Sequence, residues 1–249
     1  MDLDSGALAA LTLGLLLGLK HATDADHVVA VSTIVGEYRN AWRGIWVGAS
    51  WGLGHTAPLL VLGTVILLFK GPVMDRYETA APVLEFGVGA MLVFLGAQVL
   101  WNLRRRRLHT HEHVESDGSH VHIHATHEEG AGPEAVQAHG FFHFGRPFFR
   151  VKSFTVGVVH GLAGSAAVML VLLPTLSSTA VGVGYLVLFG VGTIISMSGI
   201  TLALGVPFAA TGGSQRLNSA VGVTAGVASA VIGVALMSDT MFGTSLMPI

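Results

Sequence analysis

Five ionisable side chains fall within eight residues of the sequence, in the stretch Lys20-His21-Ala22-Thr23-Asp24-Ala25-Asp26-His27. The segments on both sides are mostly apolar: residues 5–19 consist mainly of leucine, alanine and glycine, and residues 28–35 are rich in valine. An ionised side chain at the centre of a bilayer costs about 2.5–3.5 kcal/mol, so charges at this depth must be paired, hydrated or neutralised by a ligand. The stretch is therefore a candidate functional site inside a membrane.

The composition is typical of a protein that crosses the membrane several times. Its 249 residues are 51% hydrophobic and 11% charged, and the mean hydropathy is +0.66, outside the usual range of soluble domains. The absence of cysteine excludes disulfides, iron–sulfur clusters and cysteine nucleophiles, so a metal site must use nitrogen and oxygen ligands. The acidic N-terminus, with no cleavage site after it, predicts no removable signal. The net charge of −2 gives no indication of a nucleic-acid partner.

Apolar runs long enough to cross a hydrocarbon core of about 30 Å, roughly 20 helical residues, occur at six places. They are Ser5–Val35, Trp42–Phe69, Ala80–Leu103, Ser153–Pro174, Thr179–Pro207 and Leu217–Ser238. The first run is too long for one straight span, which favours a broken or strongly tilted helix at the charged stretch; two full spans are the alternative. The predicted fold class is an all-α polytopic membrane protein.

The distribution of lysine and arginine predicts the orientation of the chain. Only Lys70 and Arg76 fall on one side of the six spans. The positive-inside rule assigns the other side to the cytoplasm, with both termini outside the plasma membrane. That cytoplasmic side collects Arg39, Arg43, Arg104, Arg105, Arg106, Arg107, Arg146, Arg150, Lys152 and Arg216.

The two halves of the chain align at a nearly constant offset, which predicts two related repeats: residues 1–107 and 151–249. Each repeat has three spans, an odd number, so the repeats enter the membrane in opposite orientations, an inverted arrangement common in transporters. Chance alignment of glycine-rich helices is the alternative. The aligned positions are Gly18 with Gly157, His21 with His160, Trp51 to Gly54 with Phe189 to Gly192, Gly89 with Gly226 and Gly96 with Gly233.

Residues 108–150 between the repeats are rich in histidine and read as a disordered cytoplasmic loop. Such tracts bind divalent cations loosely and cannot build a packed core. Metal buffering is favoured over a plain solvated linker, because most of the 13 histidines of the chain are in this loop. They are His109, His111, His113, His120, His122, His124, His127, His139 and His143.

On a regular helix at 100° per residue, His21, Asp24 and His27 fall within an arc of about 120°, and Asp26 points away. Two imidazoles and a carboxylate on one face suit a divalent first-row metal such as Ni²⁺, Co²⁺ or Zn²⁺. A break in the helix would let Asp26 join them. Lys20, on the same face, either pairs with Asp24 at i, i+4 or extends to the membrane surface.

Two further histidines lie in apolar runs, His55 and His160. Either one alone could be a hydrogen-bonded packing residue. The repeat alignment sets His160 opposite His21, which would bring both near the midplane of an inverted fold. His55 has no histidine as its repeat mate, yet it follows Gly52-Leu53-Gly54, where another backbone can approach closely.

The stretch from His21 to His27 matches the His-x4-Asp-His signature of the nickel/cobalt transporter family. Trp51-Gly52-Leu53-Gly54-His55-Thr56 is similar to the second, Leu-Gly-His motif of that family, and Val159 to Ser165 resembles its shorter, urease-accessory branch. This resemblance implies that His21, Asp26 and His27 are essential for metal recognition. Longer members have eight spans and acidic motifs in the second half, which this chain lacks.

Together these features predict a secondary transporter that takes up Ni²⁺, or Co²⁺, and performs no enzymatic reaction. The metal ion would be cargo, with no prosthetic group, and the partners would be the lipid bilayer and a cytoplasmic nickel chaperone. Alternatives are an exporter of the same fold, a histidine-based membrane metalloenzyme, and a metallochaperone that works through the loop. The candidate metal ligands are His21, Asp24, Asp26, His27, His55 and His160.

Overall fold

The computed structural model describes residues 5–35, 41–69, 71–106, 111–115, 118–122, 149–162, 176, 178–210 and 215–247. Seven α-helices and one β-hairpin lie within these ranges. The helices are α1 Ser5–His21, α2 Ala25–Val35, α3 Ala41–Phe69, α4 Gly71–Arg106, α5 Val151–Gly161, α6 Thr179–Ala210 and α7 Gln215–Phe242. The strands are β1 His111–Glu115 and β2 Gly118–His122.

Four of the described helices are long and apolar enough to cross a membrane, and α1 with α2 meets the same test as a fifth, bent span. These segments correspond to five of the six predicted apolar runs. The remaining run, Ser153–Pro174, is described only as far as residue 162, where it forms α5, so the sixth span stays a prediction. The protein is a helical membrane protein. The four straight spans are Gly44–Phe69, Pro72–Arg105, Thr179–Val206 and Ser219–Phe242.

The first apolar run is broken where its charges lie, as predicted. Helix α1 ends at His21 and α2 begins at Ala25, and the two axes differ by 55°. In the break, the amide of Thr23 donates to the Lys20 carbonyl at 2.9 Å and the amide of Asp24 donates to the His21 carbonyl at 3.1 Å. These hydrogen bonds join residues i and i+3, as in a 3₁₀-helix, and close a tighter turn than the i to i+4 bonds of an α-helix. The chain therefore turns here.

The helices pack in a pattern that brings the two halves of the chain together. Helix α3 lies along α6, α4 lies along α7, and the shorter α1 and α5 pack on α6 and α3 respectively. Glycines occupy these contacts, because a Cβ at each position would collide with backbone of the facing helix. The facing pairs are Gly18 with Phe189, Gly157 with Trp51, Gly96 with Gly226 and Gly89 with Gly233.

The segment predicted as a disordered loop, residues 108–150, contains the hairpin of β1 and β2. The strands are antiparallel, and their register pairs Glu115 with Gly118. Residues 123–148 lie outside the described part of the chain, so metal buffering by the histidines remains a prediction.

Replacing Gly96 by alanine tests the close approach of α4 and α7. The added Cβ would lie 2.9 Å from the amide nitrogen of Ala230 and closer still to the Gly226 carbonyl. We expect the melting temperature in detergent to fall by roughly 2–10 °C, the range for an overpacked contact in a chain of this size. Gly87 lies on the same helix with nothing within 4 Å of its Cβ position, so Gly87→Ala should leave the melting temperature unchanged or raise it. Equal shifts in the two variants would contradict this packing.

Candidate metal centre

Four histidines that are distant in the sequence lie together inside the helix bundle. The distance between the centroids of neighbouring rings ranges from 4.1 Å, for His27 and His160, to 5.8 Å, for His55 and His160. His27, His55 and His160 are fully buried and His21 is 7% exposed. The structure therefore brings together the four histidines that the sequence analysis selected.

The break between α1 and α2 and the glycines of α3 and α5 position these histidines. His21 is the last residue of α1, and His27 lies in the first turn of α2, so the two flank the break. At Gly161, a Cβ would collide with the carbonyl of His55, and at Gly54 it would collide with the carbonyl of Phe154. Both positions must be glycine for α5 to approach α3 at the level of the histidines.

Two carboxylates hold three of the imidazoles. Asp24 Oδ2 lies 3.0 Å from His21 Nδ1. The carboxylate of Asp26 bridges two rings, with Oδ1 at 2.9 Å from His27 Nδ1 and Oδ2 at 2.8 Å from His160 Nε2. A carboxylate can only accept, so these ring nitrogens donate. The tautomers that follow leave a lone pair on Nε2 of His21 and of His27.

The Nε2 atoms of three rings face one another, and two of them, on His21 and His55, share a hydrogen bond. His21 Nε2 and His55 Nε2 are 3.1 Å apart, and His27 Nε2 is buried without a hydrogen-bond partner among the described residues. One ligand atom from each of these residues falls within 4.8 Å of the others. Two imidazole nitrogens bound to one ion at about 2.1 Å would lie roughly 3.0–3.4 Å apart. The observed spacing therefore fits a shared metal ion.

A second group of ligand atoms uses the other side of His27. Asp26, His27 and His160 also present one ligand atom each within 4.8 Å. Asp26 is 15% exposed. Asp26 lies in the first turn of α2, after the break, and its carboxylate contacts His27, the next residue, and His160 of α5. The first span is thus broken before Asp26, as a role for this carboxylate in the cluster requires.

Lys20 and Asp24 lie at the exposed edge of the cluster. Lys20 Nζ is 3.8 Å from Asp24 Oδ1, and the side chains are 76% and 35% exposed. The i, i+4 pair considered from the sequence is thus present. Exposed pairs of this kind contribute little to stability, so the ion pair does not account for the position of Asp24, whereas the hydrogen bond from His21 does.

Sequence reasoning did not identify the two aromatic residues that flank the histidines. The Trp51 ring lies 5.9 Å from His160, and the Phe189 ring lies 5.5 Å from His21. Both rings are buried, at 0% and 3% exposure. The signal was present, because these two residues align with each other and each directly precedes a Gly-x-Gly motif. The position that aligns with His55 is Thr193, whose hydroxyl donates to the Phe189 carbonyl at 3.0 Å.

Replacing Asp26 by alanine should destabilise the protein more than replacing Asp24 by alanine. The first change leaves the N–H groups of His27 and His160 buried without an acceptor, and each such group costs about 1–3 kcal/mol. Asp24 holds one histidine and is more exposed, so solvent can replace it. Thermal unfolding of both variants in metal-free detergent solution measures the difference. Equal losses, or a larger loss for Asp24→Ala, would contradict the bridging role of Asp26.

Comparison with known proteins shows one relative of similar length and two longer ones. The urease accessory protein UreH of Bacillus sp. (strain TB-90) is 36% identical over 230 residues, which cover 92% of this chain and 91% of UreH. The chloroplast proteins FOR GROWTH AND FERTILITY 1 and 2 of Arabidopsis thaliana are each 28% identical, over 81% and 77% of this chain. The matched regions cover 51% and 46% of those proteins, so the chain spans about half their length.

No known family profile matches the chain, and no solved structure matches it. The relation to UreH is consistent with the urease-accessory branch that the sequence motifs resemble. It extends over nearly the whole of both proteins. The chain therefore belongs to the same protein family as the urease accessory protein UreH.

Proposed function

We propose that the protein is a secondary transporter that carries Ni²⁺, with Co²⁺ as an alternative cargo, into the cell through the histidine cluster. The observation that carries this proposal is the inward-facing set of imidazole nitrogens, with Nε2 of His21 and of His55 3.1 Å apart inside a bundle of membrane helices. Imidazole suits nickel, cobalt and zinc. The name of UreH connects that relative with urease, and nickel supply is the role that we transfer to this chain.

In this proposal the ion binds to Nε2 of His21, His27 and His55. Asp24 and Asp26 then do not contact the ion. Each accepts a hydrogen bond from Nδ1 of a ligating ring and so fixes the tautomer and orientation of that ring. Their negative charge also lowers the cost of a divalent cation in a buried site. No enzymatic reaction is assigned to the protein, since the ion is its cargo.

The packing of the helices supports an inverted-repeat architecture for this transporter. The contact of α1 with α6 at Gly18 and Phe189 has a counterpart in the contact of α5 with α3 at Gly157 and Trp51. Each member of one pair aligns with a member of the other in the sequence. Transporters with such repeats move cargo by rocking one repeat against the other around a site at the bilayer midplane.

From the distribution of basic residues we infer that residues 108–150 face the cytoplasmic side of the plasma membrane. Lys152 and Arg150, at the start of α5, and Arg104 to Arg106, at the end of α4, then lie on that same side. In this orientation the histidine-rich segment would collect arriving ions and pass them to a cytoplasmic nickel chaperone.

Nickel uptake by cells that express a His27→Ala variant tests the proposal directly. His27 is fully buried, and its Nε2 faces the other histidines, so its loss should lower the initial rate of ⁶³Ni²⁺ uptake by at least about 10-fold. The matched control is Thr33→Val on the same helix, where the hydroxyl donates to the Ala30 carbonyl at 2.7 Å. The control should keep uptake close to that of the wild type. Normal uptake by His27→Ala at equal expression would refute the assignment.

A strain that lacks the gene tests the direction of transport. Loss of an importer should lower cellular nickel, lower urease activity where urease is present, and leave cells more tolerant of added nickel. Millimolar nickel in the medium should restore urease activity. Higher cellular nickel and greater sensitivity in the deletion strain would instead identify an exporter.

A further inference from the structure

The two ligand groups of the histidine cluster meet at one residue, His27. The first group, which we call position A, comprises Nε2 of His21, His27 and His55. The second group, position B, comprises the Asp26 carboxylate, His27 and His160. In position B the Asp26 oxygens lie 2.9 Å from His27 Nδ1 and 2.8 Å from His160 Nε2. Adjacent ligands at about 2.1 Å from one ion would be roughly 3.0 Å apart at right angles, so position B also has ligand spacing.

The chemistry of the imidazole ring makes the two positions exclusive. A neutral imidazole carries one proton and one lone pair, so His27 can present either Nε2 to position A or Nδ1 to position B. With an ion at position A, the Nδ1–H group of His27 continues to donate to the Asp26 carboxylate, as in the structure. An ion at position B requires that proton to move to Nε2, and requires the His160 proton to move to Nδ1. That nitrogen of His160 is buried and has no partner among the described residues, so it has room for the proton.

The surroundings of the two positions differ. Position A adjoins the exposed edge, since His21 contacts Asp24, which pairs with the largely exposed Lys20. Position B lies between α2 and α5, where His160 is fully buried and Asp26 is 15% exposed. Position A offers three neutral imidazoles, whereas position B places a carboxylate on the ion itself. An ion that enters beside Asp24 would therefore reach position A first and position B second.

We propose that the cluster holds one ion in two alternative positions and that the ion passes from A to B by exchange of the nitrogen that His27 presents. This inference rests on the proposed transport function. It divides the residues by role. His21 and His55 bind the ion at position A, His160 and Asp26 bind it at position B, and His27 is a ligand in both positions. Each ring keeps one proton throughout, so the transfer requires no net gain or loss of protons within the cluster.

The test uses the full-length purified protein with the nine loop histidines replaced by glutamine, so that only the membrane cluster binds metal. Calorimetry with Ni²⁺ alone should give one ion per chain in this background. The His21→Ala/His55→Ala double variant, which retains position B, and the His160→Ala variant, which retains position A, should each still bind one ion. We expect their affinities to be weaker by about 10–100-fold and by less than about 10-fold, respectively. His27→Ala should bind none.

Two ions per chain in the background protein would show independent sites and overturn the proposal. Loss of all binding in the His21→Ala/His55→Ala variant would also overturn it, since the cluster would then be one site centred on position A. If the double variant does not elute as a single species in size-exclusion chromatography, His21→Gln/His55→Gln is titrated in its place, and loss of all Ni²⁺ binding in that variant would equally overturn the proposal. Melting temperatures of all variants identify any that fail to fold.

Uptake by cells separates the transfer step from binding. His160→Ala should keep the nickel concentration for half-maximal uptake within about 3-fold of the wild type and lower the maximal rate by at least about 10-fold. His55→Ala should instead raise the half-maximal concentration. If both variants change uptake in the same way while the wild type accumulates nickel, the two-position mechanism fails and the transport function stands. If the wild type accumulates no nickel, the proposed function itself fails.

Discussion

The bridge that Asp26 makes between His27 and His160 is the interaction on which the arrangement of the cluster depends. One carboxylate joins α2 to α5, helices from opposite halves of the chain, through bonds of 2.9 and 2.8 Å. Unpaired polar groups are costly in a membrane, because no water is present to replace a lost partner. The bridge satisfies two buried imidazoles at once, and it fixes which of their nitrogens remain free.

The bridge is possible only because several backbones approach one another closely. The break at residues 22–24 turns Asp26 towards the cluster, and Gly161 lets the end of α5 reach the His55 carbonyl. Gly54, on the other side of this contact, faces Phe154 in the same way. The glycines and the ionisable residues therefore depend on each other. The glycines let the helices approach closely, and the carboxylates accept hydrogen bonds from the histidines, which lowers the cost of burying the imidazole rings.

Much of this arrangement could be predicted from the sequence, since the signals are local. Charged residues in an apolar run indicated the site, the conflict over Asp26 indicated the break, and the Gly-x-Gly motifs indicated close helix contacts. The partners of each nitrogen could not be predicted, because the bond between His160 and Asp26 joins residues in different halves of the chain. The hairpin of β1 and β2 was not predicted, because its polar, histidine-rich composition is typical of a loop.

The 55° bend between α1 and α2 gives the cluster a mechanical property. His21 lies at the end of α1 and His27 near the start of α2. The coordination geometry of an ion that binds both rings would therefore constrain the angle between the two helix axes. An ion that prefers wide angles between its ligands would set one bend, and an ion that prefers right angles would set another. The identity of the bound metal would then set the bend of the first span. Because α1 packs on α6 and α2 packs on α7, a change in that bend would shift the helices around it.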